Sequence, residues 1–259
     1  MAFLQVDFFS SALQVGVSVN VIMPESAAGA IGIDSATRPD PPVLYLLHGL
    51  SDDHTIWMRR TSVERYAAAL GLAVVMPAVG RSFYCDMMNG PAYWQYVSEE
   101  LPAFVERTLK VGTGRSSRFV AGLSMGGYGA MKLALTYPDR FAAAASFSGA
   151  LDMRERTEGG ELSRDMRLIF GDRPRIAGTP NDTFHLVESA HARGATLPAL
   201  YVACGTEDFL FENNERFHAH LTRLGIAHDY VTEPGEHEWG FWDRHVSAFL
   251  ERLAAWDLV

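Results

Sequence analysis

Cysteine is scarce in this chain. Cys85 and Cys204 are the only two in 259 residues, and neither has a CxxC neighbour. Two distant thiols make neither a disulfide framework nor a thiolate zinc site; they fit a reducing compartment, with a single buried bridge left open. Basic charge is also short. Lys and Arg number 22 against 31 Asp and Glu, a formal net charge of −9, with no basic cluster and no long run of one sign. That balance argues against nucleic acid or an anionic membrane as partner. No window reaches the apolar length of a membrane span. The opening MAFLQVDFFSSALQVGVSVNVIM lacks a basic n-region, carries Asp7 early and alternates in polarity. It reads as sheet and not as a signal peptide, so the expected location is cytoplasmic. There is no internal repeat and no low-complexity tract.

What is present is apolar material in two rhythms. Hydrophobic residues make up 48% and charged residues 20%, enough for a large core. Leu13, Val15, Val17, Val19 and Val21 alternate with polar residues and glycine, and Leu4, Val6 and Phe8 give a shorter copy before them. Period two predicts an antiparallel hairpin with one wet face. Residues 24–41, rich in Pro, Gly, Ala and Asp, read as loop. The pattern then changes to continuous apolar runs: PVLYLLH (42–48), LAVVMPA (72–78), RFVAGLS (118–124), AAAASFS (142–148) and PALYVACG (198–205). Such runs suit strands buried on both faces of a parallel sheet.

Helical faces alternate with those runs. Val63, Tyr66, Ala67 and Leu70 form one, with Thr61 and Glu64 spaced as a capping box. Leu101, Phe104, Val105 and Leu109 form the next, which Pro102 should start or kink. Phe217, Leu221 and Leu224 mark a third, and Trp242, Val246, Phe249, Leu250 and Leu253 the last. The expected class is α/β: a mixed, mostly parallel sheet with an N-terminal antiparallel hairpin and helices on both faces, as one domain over 1–259. Residues 151–197 break the alternation. They are charged, hold helical patterns at 161–170 and 181–193 and no clear strand, and read as a small helical insertion over one edge of the sheet, near the site described next.

Gly122-Leu-Ser124-Met-Gly126 is a G-x-S-x-G motif between an expected strand and an expected helix. In that setting the motif marks a nucleophile elbow. Side chains at Gly122 or Gly126 would collide with the sharp turn, and the turn lifts the Ser124 hydroxyl to a helix N-terminus that favours negative charge. The competing reading is a Gly-rich turn whose serine only caps the helix. In this type of sheet an acid and then a histidine follow the serine in chain order, each on a loop after a later strand. His237 lies between the last strand pattern and the last helix, where the base belongs. The acid should follow PALYVACG, where Glu207 and Asp208 both qualify on spacing; a capping role for the Asp is the alternative.

Backbone donors for an oxyanion are expected from Met125, after the serine, and from Leu50, in His48-Gly49-Leu50 at the end of an early strand. His48 then serves to orient that loop. Asp52, Asp53 and His54 read as solvated loop. His245 reads as a packed helix residue, and His218, His220 and His228 as surface. His185, Glu188 and His191 drift around a helix and make no metal site. Trp57, Tyr84 and Trp239 lie near the catalytic loops in sequence and are candidates for the pocket wall, with aromatic core as the alternative for each. Met87 and Met88 either face the site or pack.

Taken together, YLLHGLSDDHTIWMRRTSVERYA, GRSFYCD, EELP, FVAGLSMGGYGAMKLAL, FSGALD, CGTEDFL and GEHEWGFW resemble the esterase D-like branch of the α/β-hydrolase fold, most closely its bacterial tributyrin-esterase type. The likeness runs over nearly the whole chain. It implies Ser124 as nucleophile, Asp208 as acid and His237 as base, with Leu50 and Met125 as oxyanion donors. It also implies hydrolysis of short acyl esters without cofactor or metal, often by a homo-oligomer. S-formylglutathione hydrolases share the fold and triad, but the segment after HGL differs here. The antigen 85 mycolyltransferases are secreted, which the N-terminus argues against. A non-catalytic binding protein on the same fold is the rival of another class, and it would typically have lost a triad member.

Overall fold

A computed structural model describes residues 1–26, 29, 31–32, 35–158 and 161–259. The loop expected over 24–41 and the insertion expected over 151–197 each include residues outside that set. β1 (Ala2–Ser10) and β2 (Val15–Met23) pair antiparallel with Val6 opposite Val19, the expected hairpin. β2 starts two residues later than the alternation implied. Leu13 lies in the turn, where the Glu100 carboxylate accepts the Ser11 N–H at 2.6 Å and draws the chain out of the ladder.

β2 pairs antiparallel with β4 (Ala73–Pro77), and from there every pairing is parallel. The remaining strands are β3 (Val43–Leu47), β5 (Arg118–Leu123), β6 (Ala143–Phe147), β7 (Ala199–Gly205) and β8 (Asp229–Glu233). They complete an eight-stranded sheet in the order β1-β2-β4-β3-β5-β6-β7-β8. Side chains alternate across it. Val43, Tyr45 and Leu47 pack into one core and Leu44 and Leu46 into the other, so β3 is buried on both faces, as its unbroken apolar run requires.

Helices cover both faces. On one lie α4 (Leu101–Thr108), α5 (Met125–Thr136), α8 (Thr183–Ala192) and α9 (Phe211–Arg223). On the other lie α1 (Ile56–Arg60), α2 (Val63–Leu70) and α10 (Trp239–Ala255). α5 is buried almost all round, which explains why its sequence shows little amphipathic pattern.

Local signals resolve in particular ways. The Thr61/Glu64 capping box does not form. Ser62 is the N-cap of α2, its N–H is taken by Asp243 of α10 at 3.0 Å, and the Thr61 hydroxyl turns back to the Trp57 carbonyl at 2.6 Å. Pro102 sits in the first turn of α4, after α3 (Tyr93–Gln95) and a π-helical turn, Tyr96–Glu100. Proline has no N–H to offer the Ser98 carbonyl, and Arg140 Nη1 bonds that oxygen instead at 3.2 Å.

Between β6 and β7 lie α6 (Met153–Thr157), α7 (Arg164–Phe170) and α8, with no strand among the described residues. α6 carried no sequence signal. α7 and α8 are N-capped by Ser163 and Asp182.

Candidate active site

β5 runs from the buried centre of the sheet straight into Ser124, which has φ 53° and ψ −115°, and α5 begins at the next residue. That left-handed conformation is strained for a residue with a side chain. Two bonds from the end of β6 hold it: Ser124 N–H donates to the Phe147 carbonyl at 2.9 Å, and Ala150 N–H donates to the Ser124 carbonyl at 3.1 Å. A Cβ at Gly122 would strike the Gly126 backbone, and one at Gly126 would strike the Leu47 carbonyl. The two glycines let the strand, the turn and the first helical turn share that space.

β7 ends at Gly205 and delivers Asp208; β8 ends at Glu233 and delivers His237. The two loops are tied by Thr206 N–H to the Glu233 carbonyl (3.0 Å) and Glu207 N–H to the Gly235 carbonyl (3.1 Å). This brings three distant residues into line. His237 Nε2 lies 3.1 Å from Ser124 Oγ, and His237 Nδ1 lies 2.8 Å from Asp208 Oδ2. Asp208 Oδ1 accepts the Leu210 N–H at 2.8 Å. Of the two carboxylates left open by spacing, only Asp208 reaches the imidazole. Glu207 is exposed and accepts the Gly235 N–H at 2.6 Å, bracing the loop that carries His237.

Burial alone would push the Asp208 carboxyl up, but His237, the Leu210 N–H and the Ser148 hydroxyl outweigh it and hold it below the usual carboxylate range. Ser148 Oγ in turn accepts Trp242 Nε1–H at 3.1 Å. The imidazole is packed between Phe209, 4.5 Å away, and the edge-on ring of Trp242 at 4.8 Å.

The loop after β3 is set by His48. The Val79 N–H donates to His48 Nε2 at 3.0 Å, so Nδ1 carries the proton and donates to the Gly49 carbonyl at 2.7 Å. The ring is buried, and burial pulls its pKa down to about 4. His48 is thus a neutral strut. Among the described residues, neither the Leu50 N–H nor the Met125 N–H donates to a protein acceptor. Leu50 is part of the wall of the cleft that holds Ser124, and Met125 is the first residue of α5, directly after Ser124 in the chain.

A cleft of about 440 Å³ opens over Ser124 and His237, walled by Leu50, Asp52, Leu123, Phe209, Trp239 and Trp242. Trp239 lines it as expected of a pocket aromatic. Trp57 and Tyr84 do not. Trp57 is buried behind Trp239, edge-on at 5.3 Å, with its indole N–H on the Leu47 carbonyl at 3.1 Å. Tyr84 is buried with its hydroxyl on the His48 carbonyl at 2.9 Å. Both are core residues that brace the loop behind the site. Neither Met87 nor Met88 lines the cleft.

Other expectations change as well. Asp52 is part of the cleft wall and not free loop; burial raises its carboxyl. His245, by contrast, is a packed helix residue as expected, with Nδ1 2.8 Å from the Tyr201 hydroxyl. His220 is buried against Phe184 and not at the surface, while His218 and His228 are half-buried and bonded to each other at 2.7 Å. Both cysteines are free and buried.

Spacing did not single out Arg81, Phe83, Arg156 and Phe209, which complete the cleft. Phe83 and Tyr84 take φ of 50° and 53°, a strained pair held by Lys132 Nζ on the Tyr84 carbonyl at 3.2 Å. GRSFYCD and CGTEDFL, quoted for their likeness, contain Arg81, Phe83 and Phe209. Arg156 had no signal.

The strand order and the elbow define an α/β-hydrolase fold. Residues 10–253 match the model of a family described as putative esterase, so the chain belongs to that family and is in class a carboxylic ester hydrolase. An acetyl esterase of Caldicellulosiruptor saccharolyticus is 27% identical over 262 residues, covering 98% of each chain. Among solved structures, the fluorophosphonate-binding serine hydrolase F of Staphylococcus aureus is 32% identical with a TM-score of 0.88, covering 100% of this chain and 98% of that one. An S-formylglutathione hydrolase from the same species is also 32% identical, with a TM-score of 0.85 and coverage of 100% and 99%. Among the described residues no helix is long and apolar enough to cross a membrane.

Proposed function

We propose that the protein is a serine carboxylesterase of short-chain acyl esters, acting through an acyl-enzyme. The observation that carries this is the Ser124–His237–Asp208 line, with its 3.1 and 2.8 Å contacts. His237 Nε2 takes the proton of Ser124 as Oγ attacks the ester carbonyl. The carbonyl oxygen gains the negative charge and is held by the Leu50 and Met125 N–H groups, each worth roughly 3 kcal/mol of barrier. Asp208 keeps the imidazole in the Nδ1–H tautomer and stabilises its cation. The tetrahedral adduct collapses, the C–O bond to the alcohol breaks, and His237 protonates the leaving oxygen. Water, deprotonated by the same imidazole, repeats the sequence on the acyl-serine and releases the acid.

The cleft volume supports a short acyl group, since about 440 Å³ lies toward the small end of ligand sites. Residues 151–197 act in this reading as an insertion that supplies part of the rim, because Arg156 and the Asp165 partner of Arg81 come from it. A thioester reading, as in S-formylglutathione hydrolase, is favoured by the full-length similarity to that enzyme. Rates across acyl chain lengths, with S-formylglutathione and a feruloyl ester in the same panel, separate the two. A fluorophosphonate probe should label wild type and leave Ser124→Ala unlabelled. Absence of labelling on wild type would sink the serine-hydrolase mechanism and favour a binding protein.

A further inference from the structure

Two arginines face the cleft, and their charges are treated differently. Arg81 is neutralised: Nε and Nη2 grip the Asp165 carboxylate at 3.2 and 2.7 Å. Arg156, on α6, has no hydrogen bond or ion pair among the described residues, and its Nε is buried without a partner. Among the described residues the Phe83 ring is the one aromatic its guanidinium meets, 5.5 Å from the centroid, and Phe83 belongs to the same wall.

The carboxylates nearby are committed elsewhere. Glu155, whose charge acts on Arg156, is taken by Arg216 and by Asn213 Nδ2 at 2.9 Å. Asp152 is held by Arg154 and Arg216. Asp52, across the cleft, makes no ion pair among the described residues; burial and the charge of Asp53 raise its carboxyl, and Arg156 is not among the groups acting on it. Burial meanwhile pulls the Arg156 pKa down, and the charge of Glu155 offsets only part of that cost. An arginine in this state is short of one thing, a planar oxyanion that its fork of N–H donors fits.

We propose that Arg156 selects esters that carry a second, anionic group, a carboxylate on the part of the substrate away from the scissile bond. This rests on the esterase reading of Ser124 and adds to it a substrate class. A cleft of this volume spans on the order of 10 Å, so the carboxylate lies a few bonds from the reacting carbonyl. The ion pair forms inside a partly closed site and replaces the missing internal partner.

The test uses two esters of equal size, 4-butyryloxybenzoate and neutral 4-butyryloxybenzamide, on the full-length protein. Wild type should favour the carboxylate in kcat/KM by about tenfold, the scale of one charge-assisted pair. Arg156→Gln should bring the ratio near unity, and Arg156→Lys should restore part of it. Because each ratio is taken within one protein, a loss of folded material cancels. Raising salt from 20 to 500 mM should shrink the wild-type ratio and leave that of Arg156→Gln unmoved. A wild-type ratio near one, or a ratio that survives in Arg156→Gln, overturns the proposal while turnover of both esters leaves the esterase reading intact. Failure to cleave either ester, with no fluorophosphonate labelling of Ser124, would remove the esterase reading and this inference together.

Discussion

His48 offers the sharpest test of how the loop bearing Leu50 is held. Its ring is 1% exposed, accepts the Val79 N–H on Nε2 and donates from Nδ1 to Gly49. Adding a proton would place an N–H on Nε2 facing the Val79 N–H, donor against donor, in a site without solvent. Burial, above all, lowers the native pKa from 6.5 to about 4. The unfolded chain binds this proton near 6.5 and the native protein only near 4, so between those values the unfolded state holds more of it. The contribution is whole above pH 6.5 and declines as the pH drops through that window. Each unit is worth about 1.4 kcal/mol, so the loss reaches roughly 3 kcal/mol.

Urea unfolding between pH 8 and 4 measures this, with His48→Gln as reference because an amide can accept from Val79 but cannot be charged. His218, His220 and His245 are also depressed, chiefly by burial, and weaken both proteins alike in acid. The wild-type curve should fall by about 3 kcal/mol more than the variant's. Parallel curves would mean that the imidazole is not held neutral and that its strut role is wrong.

Ser124→Ala should lower ester turnover by more than about 10³-fold with an unchanged melting temperature, since the hydroxyl adds nothing to the core; retained turnover points to another nucleophile. Asp208→Asn should keep the fold and lower kcat by about 10⁴-fold, because an amide favours the wrong imidazole tautomer; a loss under tenfold in steady-state assays would argue that Glu207 serves instead. Gly126→Ala should cost about 3 kcal/mol or prevent folding, since the new methyl meets the Leu47 carbonyl of a central strand; a thermal melt within a degree of wild type contradicts this. Lys132→Met should cost about 3 kcal/mol in urea unfolding, because Nζ is the buried partner of Asn181 Oδ1 at 2.7 Å and of the Tyr84 carbonyl; an unperturbed midpoint would show those groups satisfied elsewhere.

The fold was legible where one rhythm dominates. β1 alternates because one face is wet, while the second half of β2 is buried between β1 and β4, and β3 to β7 read as solid apolar runs because both faces are covered. α6 was invisible, since its five residues make little more than one turn and no apolar pattern can repeat within it. The G-x-S-x-G motif marked the elbow and the chain order pointed to His237 as the expected base, but spacing left Asp208 and Glu207 level, and only side-chain direction separates them. The pocket was least legible. Trp57 and Trp239 both flank catalytic loops in sequence, yet one indole turns inward to the Leu47 carbonyl and the other lines the cleft. Arg156 comes from a segment without periodicity, and its place in the cleft follows from how α6 packs.

The clamp on Ser124 has a consequence for the timing of the reaction. Its N–H and carbonyl are both engaged by the chain leaving β6, and that chain also carries Ser148 beneath Asp208. One peptide segment therefore steadies Ser124 and Asp208 at once. In the proposed mechanism the deacylating water would then meet the same alignment that the ester met, with no reset between half-reactions.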